Sequence, residues 1–182
     1  MKIFLRIMPA TNQQQFVGDD RHASMLNVIR QTADFMTNPR QVAYWRGLVS
    51  CARPVRVVSA YEVWTYNEVA MLRLAVSPAK KECYRVASLL SKVTSGRARY
   101  VEGQYWATIL GVDHAFNYVA DKGVYVDFTA EFALGVDPSR EAYIAFRDFD
   151  DETIWRIICK NEYYGDIYNE VWLQESKARA NL

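Results

Sequence analysis

The chain has 182 residues, 51% of them apolar and 14% aromatic, which is about one domain's worth and enough to bury a sizeable core. Its 22 basic and 21 acidic side chains leave a formal net charge of +1, so there is no electrostatic case for nucleic acid or an anionic membrane as an obligate partner. No apolar run approaches the roughly 20 residues that span a bilayer.

The N-terminal stretch Met1–Pro9 has charge inside its apolar segment and no small-residue cleavage site, so it is not read as a signal peptide. Three widely spaced cysteines do not make a disulfide framework and suit a reducing, cytoplasmic compartment. Two histidines and no Cys-x-x-Cys give no metal-site spacing.

In chain order, Lys2–Met8 reads as a short strand and residues 10–18 as a polar loop. Asp19 or Asp20 caps a helix to about Met36, with Met25, Val28, Ile29 and Thr32 on one face. Asn38–Pro39 breaks it. A second helix over Pro39–Cys51 gathers Val42, Trp45, Leu48 and Val49. Pro54–Ser59 is β-branched and reads as a strand, and Tyr61–Ala75 has a helical rhythm through Val63, Tyr66, Val69, Ala70 and Leu74.

Ser77 and Pro78 carry helix-starting signals for a helix that ends near Ser95–Gly96. Its apolar face is Cys83, Val86, Ala87 and Leu90. Arg97–Tyr105 is the next strand, and Trp106–Leu110 either extends it or bends toward the following one. Residues 112–129 read as a hairpin, with Asp121–Lys122–Gly123 as its turn. Asp137–Pro138 starts a helix through about Phe146, and Asp150 or Asp151 caps another with Ile154, Trp155, Ile157 and Ile158 on its face. A loop around Gly165 precedes a last helix in 167–182. Helices, then antiparallel strands, then helices read as one α+β domain over 1–182.

The chemistry-bearing residues centre on the hairpin. If Ala120 pairs with Gly123, Phe116 lies opposite Asp127, and His114 is one diagonal step away on the same face. A histidine oriented by a carboxylate needs a nucleophile, and Cys83 lies upstream. A helix N-terminus or a neighbouring imidazolium favours the thiolate that attacks. If the helix begins at Ser77, Cys83 is more than a turn inside it; if it begins near Glu82, the helix dipole acts on the sulfur.

Three segments carry a resemblance to a known family. Cys83–Leu90 resembles the nucleophile helix of the transglutaminase-like branch of the papain-like cysteine enzymes. Ala98–Gly103 is similar to the "aRYVxG" strand that follows it there. His114–Asn117 with Val126–Thr129 is similar to "HAW…DPT", in the wording of small bacterial and phage members. The likeness covers about residues 78–135. Phe116 stands for Trp, Phe128 for Pro, and Val86 where Asn is common.

The resemblance implies a papain-like fold, with the nucleophile helix packed on a small antiparallel sheet between N-terminal and C-terminal helices. It also implies a catalytic triad of Cys83, His114 and Asp127, no cofactor, and a protein or peptide substrate. The backbone N–H of Cys83 would be one oxyanion donor, with Gln104, Trp64 and Tyr66 as candidates for the second. Hydrolysis and amine transfer share this machinery, and hydrolysis is favoured because the chain is small and no calcium loop is evident.

The alternative reading is an inactive member acting as a binding module, for example a phage or bacterial protein that occupies a host partner. Each residue also has a plainer reading. Taken by itself, Cys83 reads as a buried structural thiol, His114 as a structural strand residue, and Asp127 as a carboxylate bonded to backbone. Cys51 and Cys159, on helical apolar faces, are read as core. His22 lies in a polar stretch before a helix, and Asp113 points to the opposite face from His114. Tyr100, Tyr105, Trp106, Phe116 and Tyr118 line a cleft or, at strand spacing, fill the core.

Overall fold

The computed structural model describes residues 18–106 and 111–180, so the expected strand at Lys2–Met8 and residues 107–110 lie outside it. Helix α1 spans Asp20–Phe35 and α2 Pro39–Cys51, capped by the side chains of Asp19 and Asn38. Strand β1 (Arg53–Val55) and β2 (Val57–Val58) precede α3 (Tyr66–Val76) and α4 (Cys83–Val93). Strands β3 (Ala98–Trp106), β4 (Gly111–Val119), β5 (Val124–Val126) and β6 (Ala142–Phe149) follow. Helices α5 (Asp151–Asn161) and α6 (Ile167–Ala180) complete the α+β arrangement.

The strands form one sheet in the order β1-β6-β3-β4-β5-β2, antiparallel except for the β2–β5 pair. Its two outermost strands, β1 and β2, are separated in the chain by Arg56 alone. A sheet whose opposite edges are one residue apart must curl toward closure. One hydrophobic cluster is built from strand residues only, drawn from all six strands, with Val55, Val57, Val101, Phe116, Tyr125 and Tyr143 among them. It fills the concave side. On the other side, Tyr100, Ala115, Ile144 and Phe146 pack with residues of α1, α2, α4, α5 and α6.

Helix α4 lies over β3 and β4. Its expected face of Cys83, Val86, Ala87 and Leu90 is buried. The buried Asn117 amide of β4 donates to the carbonyls of Ala87 (2.9 Å) and Ala98 (3.2 Å), tying α4 to the sheet. Gly103 is required where β3 meets β6: an added Cβ would lie 2.0 Å from the Ile144 carbonyl oxygen. A register shift falls there, between Glu102 and Gly103.

Several expectations are corrected. The helix from Asp137–Pro138 through Phe146 is instead a 3-10 turn at Pro138–Arg140 followed by strand β6. Ala142, Tyr143, Ile144 and Ala145 are all fully buried, so no period-2 alternation marks the strand. The run at Pro54–Ser59 is broken at Arg56, with one piece on each edge of the sheet. The second hairpin strand stops at Val126, because Asp127 turns the chain into a helical segment ending in a π-turn at Ala130–Leu134.

The expected helix at Tyr61–Ala75 is a 3-10 turn at Ala60–Glu62 and then α3, whose start is set by a Thr65–Glu68 capping box. Its inward residues are Val69 and Val76, while Tyr66 and Leu74 are exposed. In α1 the buried face is His22, Met25, Ile29 and Ala33, and Val28 is exposed. Among the described residues, no helix is long and apolar enough to cross a membrane.

Candidate active site

Helix α4 begins at Cys83, so the thiol-bearing residue is the first of the helix. Of the two starts the sequence allowed, the one near Glu82 holds. Glu82 makes no side-chain cap to the first turn, where backbone N–H groups lack intrahelical partners. The segment before it is bent by left-handed residues, Ser77 at φ 46° and Lys81 at φ 65°. Arg85 fastens this bend, donating to the carbonyls of Val76 (3.1 Å) and Ser77 (2.7 Å) and to the Glu82 carboxylate (2.6 Å).

The hairpin register is the one the turn implied. Asn117 pairs with Val126 and Val119 with Val124, the register in which Ala120 faces Gly123. His114 Nε2 lies 2.6 Å from Asp127 Oδ2. Its ring sits among those of Tyr105 (centroids 5.4 Å apart), Tyr143 (6.4 Å) and Phe116 (6.4 Å). Asp127 Oδ1 accepts the backbone N–H groups of Thr129 and Ala130, each at 3.0 Å. Oδ2 also accepts the Tyr143 hydroxyl at 3.0 Å. Every lone-pair site of this buried carboxylate is taken.

Burial opposes charge on both members of the pair. For Asp127 the His114 charge and the surrounding donors outweigh burial, and its pKa is lowered. For His114 burial pulls the pKa down, but Asp127 outweighs it, with the Cys83 side chain as a further neighbour acting in the same sense, and the pKa is raised. The pair is therefore an imidazolium held by a carboxylate. With Nε2 engaged by Asp127, Nδ1 is the remaining ring nitrogen. Cys83, His114 and Asp127 are brought together, with exposures of 8%, 6% and 1%. The arrangement can store a proton on His114 beside a sulfur at a helix N-terminus.

The other candidates lie elsewhere. Asp113 is exposed and accepts from the Gln104 amide at 3.2 Å. Trp64 packs edge-on against Phe128, and Tyr66 stacks on Tyr61 at the surface. No second oxyanion donor is thereby identified among these three. His22 is inside α1, not before it, and its Nδ1 lies 2.8 Å from Asp19 in the helix cap.

Cys51 is partly buried, donates to the Gly47 carbonyl at 3.2 Å, and has its pKa raised by burial. Cys159 is exposed rather than core, because α5 turns Ile154, Ile157 and Ile158 inward and the next residue falls off that face. Tyr100, Tyr105, Phe116 and Tyr118 are buried, as the core reading had them. Val86 and Phe128 share one core cluster.

Two further residues were not legible in the sequence. Tyr143 falls in β6, where the sequence pattern gives a helix. Glu102 is a buried carboxylate that accepts the N–H groups of Ile167 (2.7 Å) and Tyr168 (2.8 Å), and burial raises its pKa to about 7. Among the described residues, no three or more His, Cys, Asp or Glu side chains are grouped to hold a metal ion.

Compared with known proteins, the chain matches no family model, no curated protein and no solved structure.

Proposed function

We propose that this protein is a cysteine-dependent acyl-transfer enzyme with Cys83, His114 and Asp127 as its triad, acting on a carboxamide or peptide bond of a protein or peptide. The observation that carries the reading is the 2.6 Å His114–Asp127 contact with the first residue of α4, Cys83, as a further polar neighbour of the imidazole. A curled sheet carrying such a helix on its outer side also suits the papain-like, transglutaminase-like architecture that the segments at 83–90, 98–103 and 114–129 resemble.

In this mechanism the thiol proton of Cys83 already rests on His114 as part of the imidazolium, and the sulfur attacks the carbonyl carbon, forming a C–S bond. The uncapped N–H groups at the start of α4 face the developing oxyanion. The C–N bond then breaks, and His114 returns the proton to the departing amine. Water, or a second amine, gives a proton to His114 and attacks the thioester. The C–S bond then breaks as the acyl group leaves, restoring the sulfur beside a protonated His114. Asp127 orients the imidazole throughout and stays ionised. Hydrolysis is the favoured outcome. The reaction as written draws on these side chains and the α4 backbone and calls for no cofactor.

Burial of both Cys83 and His114 favours a second reading, a binding module built on a triad that substrate does not reach. Iodoacetamide labelling at about pH 6–7, read by mass spectrometry, separates the two. An enzyme gives labelling at Cys83 faster than at the exposed Cys159, falling by about tenfold or more in His114→Ala. Slow labelling of Cys83 in both proteins sinks the enzyme reading and leaves the module.

A further inference from the structure

Strand β6 brings a fourth side chain to the triad. Tyr143 is fully buried. Its ring is wedged between those of Tyr105 (5.1 Å) and Phe116 (5.4 Å). Its backbone pairs with Val55 on one side and Tyr105 on the other. The hydroxyl therefore has no path to water and must find a partner within the protein. That partner is Asp127 Oδ2, at 3.0 Å, the same oxygen that holds His114 Nε2 at 2.6 Å. Burial first, and then the Asp127 charge, push the phenol's pKa well above its ordinary value, so Tyr143 stays protonated and donates.

We propose that Tyr143 is a positioning residue of this site, whose hydroxyl shares Asp127 Oδ2 with His114 and so sets how strongly the carboxylate holds the imidazole. The inference rests on the triad reading for its functional meaning, but not for its chemistry. Each donor on a carboxylate oxygen withdraws part of the charge offered to the others. Asp127 Oδ1 is saturated by two backbone N–H groups, so Tyr143 and His114 compete at Oδ2 alone. With Tyr143 in place the imidazolium is held less tightly and gives up its proton more readily. The titratable groups facing His114 are Cys83 from α4, Tyr105 from β3, Asp127, and Tyr143 from β6, with Glu141 acting on both tyrosines.

The test is the titration of His114 by NMR. The chain has only two histidines, so His22→Gln assigns the resonances. Tyr143→Phe keeps the ring and removes the donor, and the His114 pKa is expected to rise by about one unit or less, the scale on which single neighbours move a histidine. Fluorotyrosine incorporated at position 143, a stronger donor, is expected to shift it down. A purely structural role changes stability and does not produce opposite shifts.

An unchanged His114 titration in folded Tyr143→Phe overturns the proposal, as does an upward or absent shift with fluorotyrosine. If the Phe protein does not fold, the fluorotyrosine protein alone decides. Opposite shifts with slow Cys83 labelling leave the network intact and remove the acyl-transfer reading. Fast, His114-dependent labelling without the shifts does the reverse.

Discussion

The Glu102 carboxylate on β3 accepts the backbone N–H of Tyr168 at 2.8 Å, joining residues 66 positions apart. With the Ile167 N–H and the Tyr100 hydroxyl it closes the N-terminus of α6 onto the sheet, next to Gly103, the register partner of His114. The contact is favourable for a charged carboxylate, yet burial dominates and raises the Glu102 pKa to about 7. The folded state thus binds this proton more tightly than the unfolded chain does.

The sign follows from linkage. Between the ordinary glutamate range and about pH 7 the native state carries more protons, so this group's contribution to stability falls as pH rises through that window. Urea denaturation of wild type and Glu102→Gln at pH values on either side of the window checks it. The wild type is expected to lose about 1–3 kcal/mol more than the variant on going to the alkaline side. Equal losses in the two proteins mean that Glu102 does not titrate there.

How much of this was legible in the sequence depends on whether the signal was local. Asp19 and Asp150 cap helices where their types and positions suggested, and α2 and the 112–126 register follow from a proline, a turn and apolar spacing. Cys83, His114 and Asp127 were legible as residues to gather because each stands in a patterned segment. Strand β6 was not, since a central strand buried on both faces has neither a helical nor an alternating period and Asp137–Pro138 reads locally as a helix start. Tyr143 was lost with it. The polar cores at Asn117 and Glu102 depend on partners 19 to 66 positions away, which no window of sequence brings together. The faces of α1 and α3 were legible in part, with Met25, Ile29 and Val69 buried but Val28, Tyr66 and Leu74 exposed, because an apolar period fixes a stripe while which side of it meets the sheet is set by tertiary packing.

Gly103 offers a steric test of the same region. A methyl group there meets the Ile144 carbonyl oxygen at 2.0 Å and the Ala145 Cα at 3.0 Å, and both are backbone. Neither can rotate away, so β3 and β6 must separate beside His114. Gly103→Ala is expected to cost about 2–4 kcal/mol in chemical denaturation, in the range of overpacked core sites. Ala115→Gly, on the adjacent strand, serves as a control that shortens a side chain without a clash. A Gly103→Ala protein as stable as wild type means that the two strands are not held at this spacing.

The last prediction concerns the His114–Asp127 pair. Asp127→Asn keeps the size of the side chain and an oxygen for the Thr129 and Ala130 N–H groups, but removes the charge. His114 then remains buried without the carboxylate that offsets burial, so its pKa is expected to move from above its ordinary value to below it. The raised pKa adds stability that is lost as pH rises through the folded value; a folded pKa below the unfolded one reverses the sign, so in Asp127→Asn this group's contribution is instead lost as pH falls. Wild type is expected to keep the imidazolium through neutrality, while Asp127→Asn has neutral histidine there, which NMR reads directly. Asp127→Ala goes further, leaving the Thr129 and Ala130 N–H groups and the Tyr143 hydroxyl buried without the acceptor they were built around, at a cost of about 3–5 kcal/mol. Under the acyl-transfer reading, Cys83 labelling in Asp127→Asn falls with the His114 charge even though Cys83 itself is untouched. A His114 pKa that stays high in Asp127→Asn would show that some group other than this carboxylate holds the proton.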